Sequence, residues 1–525
     1  LVRTYGNFND FVTFTRSSGG TALRPISYGP ELVTNGDFAT NLTGWTDVSE
    51  GAGSTAWDAP GYIGLTTGAD SSNEGRSRQG ITTTIGAVYV LDITRISGRS
   101  IVSVGTTPGG QDLATTGTGA ADLSETLTFT ATTTSAWVEL RNFNNLSATS
   151  LIDNISVKEV LYDQAGAPLT LFNHPANTPR IEYNAAGERL GLLVEEARTN
   201  LLTYSEDFSN AYWSLASTTT ITEDATQAPD GNVAGTYLEE TAVTNNHLVR
   251  RNGSVSTTIG VAYTLSIFAK KAERSWLSMG TGGASGDRSW FNLDTGQLGT
   301  KGSNNSSYTI EDFKNGWYRC SVTTIATGST LQPYIYINTV DNQATYTGVV
   351  GNGIYIWGAQ LEAGAFPTSY IPTSGATATR AKDDCSINLS AFGFNAAAGT
   401  FVAAFDYTDP SETGANYVLG GNASARVMYN NAGTNTWQTF DGTAAVTFLG
   451  IAGDGEANKL AVTVATGKYA GTIKNGSFVQ SSTSATALLT NVAAGGSVSI
   501  GGGSATQMLN GHIKSIQYIP RRLTN

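Results

Sequence analysis

Cysteine is almost absent: the 525 residues hold two, Cys320 and Cys385. Two thiols cannot form a disulfide framework for a chain of this size, and each reads as a small buried hydrophobe. Histidine is equally scarce. A histidine zinc site or a Ser-His-Asp triad would have to use His174, His247 or His512, which stand far apart and outside any such motif. Charge is thin too, at 14% of residues, and 30 Lys and Arg against 42 Asp and Glu leave a net charge of −12. Nucleic-acid binding needs clustered basic surface to displace counterions from phosphate, so that class is excluded. No apolar run reaches the 18 residues of a membrane span, and Leu1-Val2-Arg3-Thr4-Tyr5-Gly6 has no apolar stretch of a signal peptide. Membrane insertion is therefore not expected.

What the chain does have is 61 Gly, abundant Thr, Ser and Asn, 9 Trp and 22 Tyr, on a 40% hydrophobic background. This is not the Ala, Glu, Lys and Leu usage of helical bundles; it predicts an all-β protein. At about 150 residues per domain the length suggests three domains. Apolar runs are short, alternating and bounded by turn residues, as in Tyr89–Ile93, Tyr263–Ile267, Tyr334–Ile337, Thr400–Phe405 and Asn458–Val464. Such spacing is what β-sandwiches produce. The stretch Leu192–Arg198, framed by Gly191 and Thr199-Asn200, reads as a short turn or linker.

An internal repeat organises the first two thirds. Thr83-Thr84-Ile85-Gly86-Ala87-Val88-Tyr89-Val90-Leu91 recurs as Thr257-Thr258-Ile259-Gly260-Val261-Ala262-Tyr263-Thr264-Leu265, 174 residues later. Upstream, Asn35-Gly36-Asp37-Phe38 with Trp45 is echoed by Ser205-Glu206-Asp207-Phe208 with Trp213. Downstream, Trp137-Val138-Glu139-Leu140 is matched to Trp317-Tyr318-Arg319-Cys320. A period of this length is a tandem domain duplication, too long for a solenoid repeat.

The opening Asn-Gly-Asp-Phe turn, Gly44-Trp45 and the closing Asp153-Asn154-Ile155-Ser156-Val157 strand resemble jelly-roll carbohydrate-binding modules. The second copy resembles bacteriophage head-fibre and tail-fibre proteins. The matching residues are Gly191–Leu202, Ala228-Pro229-Asp230-Gly231, Asn315-Gly316-Trp317-Tyr318-Arg319, Trp357-Gly358-Ala359-Gln360-Leu361-Glu362, Ser369-Tyr370-Ile371-Pro372-Thr373 and Thr379-Arg380-Ala381-Lys382-Asp383. In that family a Phe-Thr-Arg element runs into Pro-Arg-Ile. Here Phe14-Thr15-Arg16 is separated from Pro179-Arg180-Ile181 by the first jelly roll, which implies an insertion and predicts that residues 10 to 29 pack beside 161 to 199. The closing strand from Asn510 to Thr524 resembles laminin-G-like, concanavalin-type sandwiches, and Asn475-Gly476 supplies a type I′ hairpin in Thr472–Phe478.

The expected architecture is three antiparallel β-sandwich domains, two jelly rolls and one laminin-G-like sandwich. Residues 1–29 form an N-terminal attachment or connector segment and 30–160 an inserted jelly roll. A connector at 161–199 packs with 10–29, followed by a second jelly roll at 200–375 and the last sandwich at 376–525.

Function is read from residue types. Retaining glycosidases place two carboxyl groups about 5 Å apart, commonly alternating on one strand. After residue 384 only Asp406, Asp409 and the isolated Glu412 come near this, and Glu195-Glu196 are adjacent, which points them to opposite faces of a strand or leaves them solvated on a turn. Binding fits better, because sugars stack C–H faces on Trp and Tyr. Trp45, Trp137, Trp213, Trp317 and Trp357 read as core. Trp57, Trp276, Trp290 and Trp437 are the candidate ligand contacts, although aromatics at a subunit interface would look the same. No cofactor is required. The resemblance implies a structural Ca²⁺ at Asp37 and Asp153, against which stand an Asx turn at Asp37 and a solvated strand edge at Asp153.

The resemblance thus implies a non-catalytic virion fibre or spike protein, assembled in the host cytoplasm, that binds host-surface polysaccharide or lipopolysaccharide during adsorption. It would act beside other virion proteins, as a homotrimer or another oligomer that gains affinity through multivalency, with residues 1–29 as the candidate attachment segment. Two other readings stay open: a structural head-fibre or decoration protein, and a polysaccharide-degrading tailspike.

Overall fold

Short segments in which apolar and polar residues alternate bury only one face, so they pair into sheets and stack those sheets on one another. The computed structural model is all-β, with antiparallel sheets packed as sandwiches. It describes residues 12–70, 72–117, 123–143, 147–215, 218–343, 345–407, 416–420, 426–431, 436–440, 445–448, 458–465, 468–471, 480–482, 488–502 and 508–522. The one α-helix among them is Leu488–Gly495, and no helix is long and apolar enough to cross a membrane. The hairpin at 472–478, Asp409 and Glu412 lie outside the described residues.

The chain divides into Pro25–Pro168 and a second unit made of Leu1–Arg24 with Leu169–Asn525. In Pro25–Pro168 one sheet runs Leu123–Thr130, Val88–Ser97, Thr149–Tyr162 and then the later part of Gly20–Glu31, which pairs through Ile26, Ser27 and Tyr28 with Tyr162, Leu161 and Val160. The facing sheet runs Thr46–Asp47, Arg76–Thr82, Ser135–Asn142, Ser100–Gly105 and Ala114–Thr115. Phe38, Leu65, Leu91, Val102, Val138 and Val157 are among the side chains that fill the space between them.

The other unit holds two sandwiches. One sheet of the first runs Trp213–Ser214, His247–Arg251, Tyr334–Asn338, Trp276–Gly280, Ser289–Asn292 and Gln297–Leu298. Its partner runs Thr219–Gln227, Val233–Glu240, Gly353–Ala363, Ala262–Lys271, Trp317–Ile325 and Asn305–Asp312. The outer face of the partner sheet is covered: Phe268, Trp317, Trp357 and Tyr370 pack with Leu23 and Leu171. The C-terminal sandwich has a core containing Phe401, Phe405, Trp437, Val462 and Leu488.

The repeat in sequence is a repeat in hydrogen bonds. Tyr89 Oη accepts Thr84 N at 2.8 Å, and Tyr263 Oη accepts Thr258 N at 3.0 Å. Gly86 and Gly260 both adopt φ +83°, the left-handed turn that glycine takes without a Cβ clash, and each N–H reaches the opposite strand, at Ala131 O and Ala326 O. In both copies this turn leaves an isoleucine in solvent, Ile85 62% and Ile259 66% exposed. The opening turns match as well. Trp45 Nε1 donates to Asn35 O and Trp213 Nε1 to Tyr204 O, and each indole lies against its phenylalanine, Phe38 or Phe208.

Several expectations are revised. Leu192–Arg198 is not a turn: Arg189–Val194 is a strand whose Leu192 and Leu193 pair with Ile513 and His512, because its aliphatic side chains fit the edge of the C-terminal sandwich. Val12–Thr15 likewise pairs with Asp384–Asn388. Stretches read as connectors therefore supply strands to the last domain. Trp137 is not core. Ala136 and Val138 point inward, which turns Trp137 outward over Gly80. In strand order its strand occupies the place of Tyr334–Asn338, so its sequence match to Trp317 is not the structural one.

Four quoted motifs converge on one buried ionic cluster. Arg16 Nη1 meets Asp383 Oδ1 at 3.0 Å, Arg180 meets Asp383 Oδ2 at 2.6 Å and Glu195 Oε2 at 2.8 Å, and Arg380 lies 3.5 Å from Glu195. Arg16 also donates to Pro175 O and Arg180 to Thr21 O, so residues 16–21 run beside 175–180. Glu195 is thus buried rather than solvated. Burial alone would raise its pKa, but Arg380 and Arg180 outweigh that and hold it far below the usual carboxylate range.

Candidate functional site

The second sandwich carries one sheet face that differs from the others in chemistry. Along Trp276–Gly280, Leu277 and Met279 enter the core, so Trp276 and Ser278 face outward. Pairing carries the pattern across the sheet. Ser278 stands opposite Tyr336 on one side and Trp290 on the other, Trp276 opposite Asn338 and Asn292, and Arg250 opposite Tyr334. Indole, phenol and guanidinium groups therefore share one surface, whose edges are the half-buried Trp276, Tyr334 and Arg250.

Its geometry is ordered by stacking. Tyr334 and Tyr336 are parallel, 8° apart with centroids at 5.8 Å. Arg288 lies flat on Tyr336, its Cζ 3.8 Å from the ring centroid, and donates to Asn246 Oδ1 at 3.1 Å. Arg250 approaches Tyr334 at 5.9 Å. Burial pushes the Tyr336 phenol up to about 12, against the neighbouring Arg288 charge, so it stays a neutral donor. Four buried atoms here have no protein partner: Ser278 Oγ, Arg288 Nε, Trp290 Nε1 and Asn338 Oδ1. Leaving such a group unpaired costs about 1–3 kcal/mol; all four atoms are buried, so contact with an outside ligand falls to the half-buried Trp276, Tyr334 and Arg250.

The same face in Pro25–Pro168 is built otherwise. Its outward residues are Trp137, Glu139, Arg76 and Arg78, and the charges pair internally: Arg78 with Glu139 at 3.2 Å and Arg76 with Glu74 at 2.8 Å. On the second sandwich no carboxylate among the described residues lies within ion-pair distance of Arg250 or Arg288. Asp287 and Asp341 stand at the rim, with Asp287 accepting from Ala284 N and Asn304 and Asp341 from Thr300 N and Oγ1.

The structure thus brings two of the four candidate tryptophans, Trp276 and Trp290, onto one face, although Trp290, at 3% exposed, is buried and offers no open ring. Trp437 is withdrawn from any ligand: it is fully buried between Phe405 and Tyr407, because its strand turns that side into the C-terminal core. Trp57 is 40% exposed, held by a bond from Nε1 to Phe38 O at 2.7 Å, and belongs to Pro25–Pro168. Tyr334, Tyr336, Arg250 and Arg288 escaped the sequence reading. The alternation Tyr334-Ile335-Tyr336-Ile337 held part of the signal, since it places both tyrosines on one face.

Asp37 and Asp153 are neighbours, joined by the bond from Ile155 N to Gly36 O at 2.9 Å. Burial raises the Asp153 carboxyl above its ordinary range and the Asp37 charge adds to this, against the hydrogen bond from Asn154 N. A cation would relieve that repulsion, so the pair fits Ca²⁺ in charge. Ca²⁺ takes 6–8 oxygens, and among the described residues no group of three or more His, Cys, Asp or Glu is placed to hold a metal, so most ligands would have to be carbonyls and water.

Two shallow clefts of about 290 and 170 Å³ lie elsewhere, beside Arg198 with Ala363 and beside Asn173 with Tyr370, and neither includes the aromatic face. No protein-family model and no curated protein matches the chain. Among solved structures it is similar to the N-terminal CBM22 tandem domain from Paenibacillus barcinonensis, at 14% identity over 64% of this chain and 98% of that one, with a TM-score of 0.21. It is also similar to the Trypanosoma rangeli sialidase in complex with 2,3-difluorosialic acid, at 11% identity over 92% and 84%, with a TM-score of 0.20. Likeness of this degree carries no inference about binding or catalysis.

Proposed function

We propose that the protein is a bacteriophage fibre or spike component that binds host-surface polysaccharide or lipopolysaccharide during adsorption, through the outer face of the second sandwich. The observation that carries this reading is the joining of the half-buried Trp276, Tyr334 and Arg250 on one outer sheet face. Aromatic faces take the C–H side of a sugar ring, and the Arg250 guanidinium and Tyr334 hydroxyl supply directional bonds to its hydroxyls. The phage assignment rests on the fibre-type motifs between 191 and 383. Sites of this kind bind weakly one at a time, and a homotrimer on a virion would recover affinity by multivalency. A Ca²⁺ at Asp37 and Asp153 would fix the opening turn of the first jelly roll, a structural role.

A second reading, a structural head-fibre or decoration protein, is favoured by one feature. Ile259, Val261 and Ile325 are 66%, 37% and 51% exposed, and Val261, in the turn before Ala262–Lys271, accepts a bond from Ala326 N, the residue after Ile325. Binding of the purified chain to host lipopolysaccharide and capsule separates the two. Adsorption predicts saturable binding that Trp276→Ala weakens at least tenfold while the melting temperature is kept. Failure to bind any host-surface glycan sinks it in favour of the structural role.

A further inference from the structure

The two jelly rolls provide an internal comparison. Sheets in the same strand order present the same face, and in the first copy its arginines are neutralised by Glu74 and Glu139. In the second copy Arg250 and Arg288 lie along the Tyr334–Tyr336 stack without an ion-pair partner among the described residues. Arg288 is 5% exposed, held flat by Tyr336 and Asn246, with Nε unpartnered. Arg288 is thus a buried, fixed positive charge beside the stack, and the half-buried Arg250 is the guanidinium that an outside planar carboxylate can reach.

We infer that this face selects acidic sugars: a glycan residue whose ring stacks on Trp276 or Tyr334 while its carboxylate is received by Arg250, with the buried Arg288 charge adding to the local positive field. The inference rests on the glycan-binding reading above and adds the charge class of the ligand. Delocalised attraction cannot produce such a preference, since a chain with net charge −12 repels polyanions as a whole. Selectivity for an acid must therefore be local.

The test uses the full chain with three probes: polygalacturonate, its fully methyl-esterified form of the same length, and dextran. The expected result is that polygalacturonate binds at least tenfold more tightly than its ester, and that the difference shrinks in high salt. Arg250→Gln should bring the ratio of acid to ester binding close to one. Arg250 is half-buried and makes no ion pair, so this variant keeps the fold where Arg288→Gln, at a buried position, could lose it. Equal binding of acid and ester, both weakened by Trp276→Ala, overturns the acidic preference and leaves glycan binding standing. Binding of none of the three probes, together with none to host glycans, overturns both.

Discussion

His512 illustrates how single residues acquire roles that their neighbours in sequence do not announce. Its Nδ1 lies 2.7 Å from Asp406 Oδ1 and its Nε2 2.7 Å from Glu182 Oε2, with Lys514 3.4 Å from the other Asp406 oxygen. Burial would lower its pKa, but the bonds and charges of Asp406 and Glu182 outweigh that and raise it to about 10. A raised histidine pKa contributes stability that is full below the unfolded value near 6.5 and is lost as the pH climbs through 10. Breaking a buried pair costs about 3–5 kcal/mol, and residual exposure reduces this, so His512→Gln should cost on the order of 2 kcal/mol at pH 6. Urea unfolding of both proteins at pH 6 and pH 10 checks this. The gap should narrow at the higher pH, and a gap unchanged with pH would show that the imidazolium charge is not what holds Glu182 and Asp406.

At the scale of elements, the duplicated turn is where sequence and structure agree most closely. In Thr-Thr-Ile-Gly-x-x-Tyr the tyrosine is required because its hydroxyl caps the N–H of the second threonine, and the glycine because the chain reverses at φ +83°. Tyr89→Phe and Tyr263→Phe should each cost about 1 kcal/mol, the worth of one neutral hydrogen bond. Denaturant unfolding of the two single variants and the double checks it, and the costs should add, since the tyrosines belong to separate cores. A cost at only one of them would mean that the repeats share letters without sharing energetics. The match of Trp137 with Trp317 shows the limit of this legibility. Two letters in a short apolar run cannot specify which strand of a sandwich they belong to, and strand order places Trp137 where the second copy has Tyr334–Asn338.

For the whole molecule, the chain order is not the order of packing. Arg16, Arg180, Glu195, Arg380 and Asp383 are up to 367 positions apart and close one buried cluster. Pro25–Pro168 has its own core, and its sheet needs Ile26, Ser27 and Tyr28 against Thr149–Tyr162. A fragment of residues 25–168 should melt cooperatively by itself, whereas one that begins at Leu32 should lose the strand and most of its stability. Calorimetry of the two fragments decides this, and equal stability would show that the strand is not integral to the sandwich.

What the sequence alone determined is local: alternation set the strands, glycine and asparagine set the turns, and the near-identical Thr-Thr-Ile-Gly segments marked the duplication. These are properties of a few consecutive residues, so they survive without a fold. The tertiary structure decided which face each tryptophan occupies. Trp276 and Trp437 both stand in short polar surroundings in the sequence, yet one lies on an outer face and the other is sealed in a core. That difference depends on which sheet stacks against which, and hence on contacts between residues far apart in the chain. The pairing of charges follows the same rule. Arg78 meets Glu139 across strands while Arg250, among the described residues, meets an aromatic ring and no carboxylate, and the register of neighbouring strands distinguishes them.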